Sequence, residues 1–506
     1  MHFVSLPEAR QNIALAFADV NSARAWLATQ PQAQPTHMLA ALTLQIEAID
    51  GAAEQPAPVV IELLDVLRTA AMASLESVEP RFTRKALPLP AEDERCFAGV
   101  QQFWTRLGIA YLRRAPDLPA PEQALPLNRA ACAFRLAEYC HFQAAQECPK
   151  SLDQLLFAVL DQAVQSHVLQ QALPDPDFPH LGQAHTAGHL AWAFLLRVVD
   201  PYRLSASQLV VANRALSRWR ELCEFQSVAD DDPKNRALDL KRLVAHSLPE
   251  SVPRWLNVRT LVRKSRQRIE ALKAGELPET LKLGRELSST ACIRLLGALN
   301  ASLRSEQTQA STEMGQIKLS FGCENAYAIC RGELLNPPAD LDAKSATLAH
   351  QRMAMFGFDR LSQMPTAVKT LSIPQEVWTL VDGRAIRASG QVGARRLSPC
   401  LIASHRDGVP RLGVMLRLQS TDTGALAASL LWFEGKIDSG WMQHGASKIA
   451  AFLLRDDSEW SLLVPANAAL RLNQPCALHE MAIKHLVPTD VLERGMDFVL
   501  YACRPA

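Results

Sequence analysis

The chain has few aromatics, no excess of either charge, no long apolar runs and little glycine over its first three-fifths. Aromatic residues are 6% of its 506 positions, and 53 Lys+Arg against 52 Asp+Glu leave a net charge of +1. Without a basic excess no overall field draws the molecule to phosphate backbones, so DNA and RNA are not expected partners. The longest apolar stretch, His189–Val199 (HLAWAFLLRVV), contains Arg197 and falls short of the ~20 residues a bilayer demands, so no membrane span is expected. The first residues, MHFVSLPEARQ, lack a basic start followed by an apolar core, and no signal peptide is expected. Eleven cysteines without a CxxC pair do not form a disulfide framework and read as buried free thiols of a reducing cytoplasm. P-loop, GxGxxG, GxSxG and HExxH motifs are also missing, so no catalytic residues are assigned and an enzyme is not expected.

What is present is enough chain for real cores, 48% of it hydrophobic, with length for about two or three domains. Glycine marks a division, because only 8 of the 22 glycines precede residue 311. The glycine-poor part, 1–310, reads as a multi-helix domain. Val60, Leu63, Leu64 and Leu67 recur at one face of a 3.6-residue period, with Glu62, Asp65 and Arg68 turned away. Further helices are expected at 128–146, 151–171, 205–224, 259–274 and 288–303. Prolines at 88, 90, 116, 119, 121, 126, 174, 176 and 179 punctuate them, since proline cannot continue a helix interior.

The polar stretch 305–316 (SEQTQASTEMGQ) marks the expected boundary. Beyond it the period changes to two, with Leu412, Val414, Leu416 and Leu418 alternating with Gly413, Met415, Arg417 and Gln419. Short strands are expected at 428–433, 460–464 and 498–503, with Gly-containing turns such as Asp407-Gly408 between them. The segment 316–338 also reads as strand-like. This pattern predicts a barrel or sandwich over 311–506. The fold class expected is therefore α+β and multidomain, a large all-α N-terminal domain followed by an antiparallel β-barrel.

His185 and His189 fall one helical turn apart, with His180 before them in a proline-rich loop. That spacing would suit a shared metal ion. With only Asp175 and Asp177 nearby, they read instead as helix-start and packing histidines, and no metal ligand is assigned.

Val377–Arg387 (VWTLVDGRAIR), the arginine in His350–Phe356 (HQRMAMF) about 30 residues earlier, and the strand-rich run through Leu418 together resemble a PilZ domain, the small bacterial β-barrel that serves as a cyclic di-GMP receptor. The whole chain is similar to large bacterial members with a helical N-terminal part. The matching segments are Trp26–Pro31 (WLATQP), Glu62–Arg68 (ELLDVLR), Trp460–Pro465 (WSLLVP) and Glu493–Phe498 (ERGMDF). The resemblance implies a ligand site built from an RxxxR loop and a [D/N]xSxxG strand-turn motif. Arginine suits such a ligand because its planar, permanently charged fork grips phosphate or a guanine edge bidentately and stacks on bases.

Here the motifs are degenerate. Arg352 matches the first arginine of RxxxR, but Phe356 stands at the second. Asp382 matches the acidic position, whereas Arg384 replaces the serine and Arg387 the glycine. The binding residues expected are thus Arg352, Asp382, Arg384 and Arg387, with Arg395 and Arg396 as further cations nearby. Arg384 and Arg387 stand an odd number of positions apart, which points them to opposite faces of a straight strand. The resemblance implies a cytoplasmic signalling protein linked to motility, pili or biofilm control, binding cyclic di-GMP and engaging a protein partner through its helical domain. The alternative is a ligand-free interaction scaffold with a degenerate barrel.

Overall fold

A computed structural model describes residues 6–10, 13–31, 33–52, 54–229, 237–244, 248, 250–303, 314–336, 373–455 and 460–506. The chain divides into two compact units. The first comprises 1–309 with 419–423, and the second 310–418 with 424–506. The sequence segment 305–316, read as the boundary, lies outside the described residues except at 314–316.

The first unit is helical: α1 (Val20–Thr29), α2 (Pro35–Gly51), α3 (Ala57–Val78), α4 (Ala91–Arg114), α5 (Ala124–Ala144), α6 (Lys150–Gln165), α7 (Thr186–Val198), α8 (Ala206–Trp219), α9 (Arg259–Lys273) and α10 (Ser289–Ser302). Helix α5 is the hub. It packs against α4, α6 and α7, and nearly every residue along it is buried. The α3 stripe predicted from its period holds, since Val60, Leu63, Leu64 and Leu67 are all fully buried, but Arg68, expected to turn away from it, is buried as well because carboxylates from the segment after α6 pair with it. Helix starts follow local chemistry. The side chains of Asp19, Ser205 and Ser288 cap α1, α8 and α10 by accepting from backbone N–H groups of the first turn. Pro126 does not break α5 but sits in its first turn, where an N–H would find no helical partner anyway. The helix expected over 151–171 stops at Gln165, and the one over 205–224 gives way after Trp219 to a 3-10 turn and a strand. Among the described residues this unit also holds short strands: β1 (Leu173–Pro174) pairs with β2 (Gln183–Ala184), and β5 (Trp255–Asn257) lies between β3 (Glu224–Gln226) and β4 (Ala237–Asp239).

The second unit opens with β6 (Gly315–Phe321) and α11 (Cys323–Arg331). The strand-like reading of 316–338 is thus corrected in its second half. Cys323, Ala326, Tyr327 and Cys330 recur at helical spacing and pack into the core, and Gly332, at φ 76°, ends the helix in the left-handed conformation. Then come β7 (Glu376–Val381), β8 (Arg384–Arg387), β9 (Cys400–Arg406), β10 (Val409–Ser420) and β11 (Leu426–Trp432). With β6 they close a six-stranded antiparallel barrel in the order β10-β11-β8-β7-β6-β9. The alternation expected along β10 holds only in part. Gly413 and Met415 are buried as well, and a Cβ on Gly413 would lie 2.4 Å from the Leu431 carbonyl oxygen. Close strand approach, not solvent, sets that face.

The remaining strands are β12 (Lys436–His444), β13 (Ser447–Arg455), β14 (Trp460–Pro465), β15 (Cys476–Ala477), β16 (His485–Arg494) and β17 (Phe498–Pro505). They form a second sheet in the order β12-β13-β14-β17-β16-β15. It is buried on both faces. Ala450, Phe452 and Leu454 of β13 join the core shared with α11, β9 and β10, while Ala451 and Leu453 join a second core with Leu462, Leu486 and Tyr501. Asp497, from the ERGMDF segment, accepts the Leu401 N–H at 2.9 Å and so ties the approach to β17 to the start of β9.

Candidate functional site

Strands β7 and β8 form a two-residue hairpin, with Val381 opposite Arg384. Asp382 and Gly383 both take positive φ, 49° and 73°, the geometry that lets a tight turn follow the right-handed strand twist and that favours Asp-Gly. Asp382 is exposed on this turn, and Arg384 is exposed at the first position of β8. Arg387, by contrast, is only 4% exposed and lies on the same face of β8 as buried Ala385. The two arginines therefore sit in different environments, as their odd spacing predicts. Arg352 lies outside the described residues.

The arginine that Arg387 does accompany is Arg396, and Glu376 joins them. Arg387 donates through Nη1 to Glu376 Oε2 at 2.8 Å and to the Ala394 carbonyl at 3.1 Å. Arg396 donates through Nη2 to Glu376 Oε1, and the Ala394 N–H reaches the same oxygen at 2.8 Å. Aromatic rings back both guanidiniums: Trp378 lies 5.5 Å from that of Arg387 and Phe321 lies 3.4 Å from that of Arg396. Burial pushes the Glu376 carboxyl up, but Arg396, the Ala394 N–H and Arg387 outweigh it and hold the group below the ordinary glutamate range. Glu376 escaped the sequence reading, which began at Val377. A signal was available. Glu376 shares strand parity with Trp378, a bulky apolar residue suited to the interior, so an acid there would face inward and need a cation.

The helical unit holds a second polar cluster. Arg68, of the ELLDVLR segment, is buried and pairs with Asp175 at 2.5 Å and Asp177 at 3.3 Å. Arg129 shares Asp175 at 2.8 Å and reaches Asp65 at 3.4 Å, and the Tyr111 hydroxyl donates to Asp65 at 2.5 Å. These carboxylates bind α3, α5 and the segment after α6 together, which is an architectural task.

The histidines divide as their helical placement suggests. His185 caps α7, its Nδ1 accepting the Gly188 N–H at 3.0 Å, and its Nε2 meets Glu221. His189 is fully buried with no hydrogen-bond partner for either ring nitrogen among the described residues. Burial, then the charges of Arg135 and Arg220, hold it well below the ordinary histidine range and therefore neutral. Among the described residues no three His, Cys, Asp or Glu side chains gather as a metal site. An open groove of about 370 Å³ lies beside α3 and the start of α5, lined by Pro58, Ile61, Pro121, Leu125 and Leu173 with Glu62 and Glu122 among them. No helix among the described residues is long and apolar enough to cross a membrane.

Residues 21–232 match a family model for the N-terminal domain of a cyclic-di-GMP receptor. That receptor is FimW, and the matched span holds the Trp26–Pro31 and Glu62–Arg68 segments. The family is one of receptors, not of enzymes. No curated protein matches the chain, and no solved structure does.

Proposed function

We propose that this protein is a cytoplasmic regulator that responds to cyclic di-GMP through a PilZ-type barrel, without catalysing a reaction. The family match over residues 21–232 carries the reading, and the closed barrel that follows the helical unit in the chain supports it. Arg384 and Asp382, exposed at the β7–β8 turn, meet the dinucleotide together with Arg352. Arg384 grips a phosphate or a guanine edge, and Asp382 accepts from a base N–H. Arg387 contributes from behind, holding the loop that follows β8 through its bond to the Ala394 carbonyl. The helical unit engages a protein partner, and the groove beside α3, apolar with two acids, suits an apolar segment with basic flanks. The output is control of motility, pili or surface attachment.

Titration calorimetry of the full chain with cyclic di-GMP tests this. The expected dissociation constant is below about 100 µM, roughly −5.5 kcal/mol, and Arg384→Ala weakens it by about tenfold, ~1.4 kcal/mol. No heat and no thermal shift at that concentration overturn the reading. One observation favours a second reading, a scaffold that needs no ligand. Two of the barrel's arginines, Arg387 and Arg396, already share an internal carboxylate.

A further inference from the structure

Three donors converge on Glu376: a guanidinium N–H from Arg387, one from Arg396, and the backbone N–H of Ala394. Two guanidiniums and an amide around one oxyanion make a donor set that the oxygens of a phosphate group can also accept from. Among the described residues Glu376 alone bonds both guanidiniums, while the Asp497 carboxylate lies near enough to feel the charge of Arg396 without replacing Glu376 on the three donors.

The donors are also fixed in place before any ligand arrives. Trp378 and Phe321 back the guanidiniums, and the loop closes over them at Gly393. A Cβ on Gly393 would lie 2.1 Å from Arg387 Nη1 and 2.9 Å from Glu376 Cδ. Yet the cover is thin, because Gly393, Ala394 and Arg395 are exposed. Such an arrangement lies just beneath an exposed loop with its donors pre-organised, and the position where an anion would sit is filled by the chain itself.

We propose that Arg387, Arg396 and the Ala394 N–H form a phosphate subsite of the barrel, and that Glu376 is its resident occupant and excludes phosphate from it. This rests on the receptor reading only in naming the phosphate of a nucleotide as the natural competitor, since the subsite itself is defined by the three donors. A phosphate entering it would replace the Glu376 carboxylate on the same N–H groups, and the displaced carboxylate would turn to solvent. In this chain Glu376 therefore decides whether the arginines serve a ligand or the fold.

The test uses Glu376→Gln in the full chain with inorganic pyrophosphate as the probe, and cyclic di-GMP in parallel. The amide keeps the shape and removes the charge. Pyrophosphate binding at least tenfold tighter than to the natural chain is expected, with the gain lost in the double variant Glu376→Gln/Arg387→Gln. Unchanged or weaker pyrophosphate binding overturns the proposal. Cyclic di-GMP separates the two ideas: gained pyrophosphate binding without any dinucleotide binding upholds the subsite and sinks the receptor reading. Should Glu376→Gln not fold, Glu376→Ala is melted in acetate or phosphate against chloride at equal ionic strength. Recovery of the melting temperature by the oxyanions alone supports the subsite, and equal or absent recovery overturns it.

Discussion

At the scale of single residues, charges buried in pairs govern what a substitution does. Arg68→Met leaves Asp175, fully buried, with Arg129 alone. Breaking one side of a buried pair costs about 3–5 kcal/mol, so the urea midpoint of the helical unit is expected to fall by that order. A drop below 1 kcal/mol would mean that Arg129 satisfies Asp175 unaided. Gly393→Ala pushes a methyl against a guanidinium that is held on several sides, and a loss of about 1–3 kcal/mol is expected from such overpacking. Thermal melts read it directly. His141 sets a pH dependence. Burial, only partly opposed by backbone hydrogen bonds, pushes its pKa down to about 4, while the unfolded imidazole titrates near 6.5. The folded state thus disfavours the proton. Its contribution to stability is complete above pH ~6.5 and is lost as pH falls toward 4. In His141→Phe the melting temperature should drop less between pH 7 and 5 than in the natural chain, and parallel curves would assign the acid sensitivity elsewhere.

At the scale of elements, ends are set by short-range chemistry and placement by what lies far along the chain. Asp497 illustrates the second. Asp497→Ala orphans the Leu401 N–H at the head of β9, an expected loss of about 1–3 kcal/mol, checked by denaturant unfolding of the full chain. The same contrast explains what the sequence disclosed. The α3 face, α9, α10 and strands β14 and β17 were legible because their apolar period or their polar caps are local. Helix α11 was not. At nine residues it is only about two and a half turns, and its small residues, Cys323, Ala326 and Cys330, weaken the helical period that packing against β9 and β13 then enforces. The second sheet was visible as strands but not as a separate sheet, because pairing β14 with β17 and β16 with β17 depends on partners that no periodicity names. The site was half legible. Asp382 and Arg384 could be placed on a turn from Asp-Gly alone, whereas the pairing of Arg387 with Arg396 arises from a loop that folds back over β8. Glu376, which joins them, belongs to the opposite strand of the hairpin.

At the scale of the whole molecule, two compact units of different kind, one helical and one β-rich, share one chain. Chains with more than one core do not melt as a single two-state unit, so calorimetry is expected to resolve at least two transitions, with cyclic di-GMP moving the β-rich one. One transition whose calorimetric and van't Hoff enthalpies agree would contradict that expectation. Order of synthesis adds a further asymmetry. Arg68 stands 107 residues ahead of Asp175, and at ribosomal speeds of roughly 5–20 residues per second that interval lasts about 5 to 20 s. Throughout it α3 is already made while the carboxylate that completes its buried charge is still untranslated. The buried ion pairs that Asp175 makes with Arg68 of α3 and Arg129 of α5 therefore form only after the segment that follows α6 leaves the ribosome. A nascent chain stalled before residue 175 should remain open to proteases that the finished unit resists.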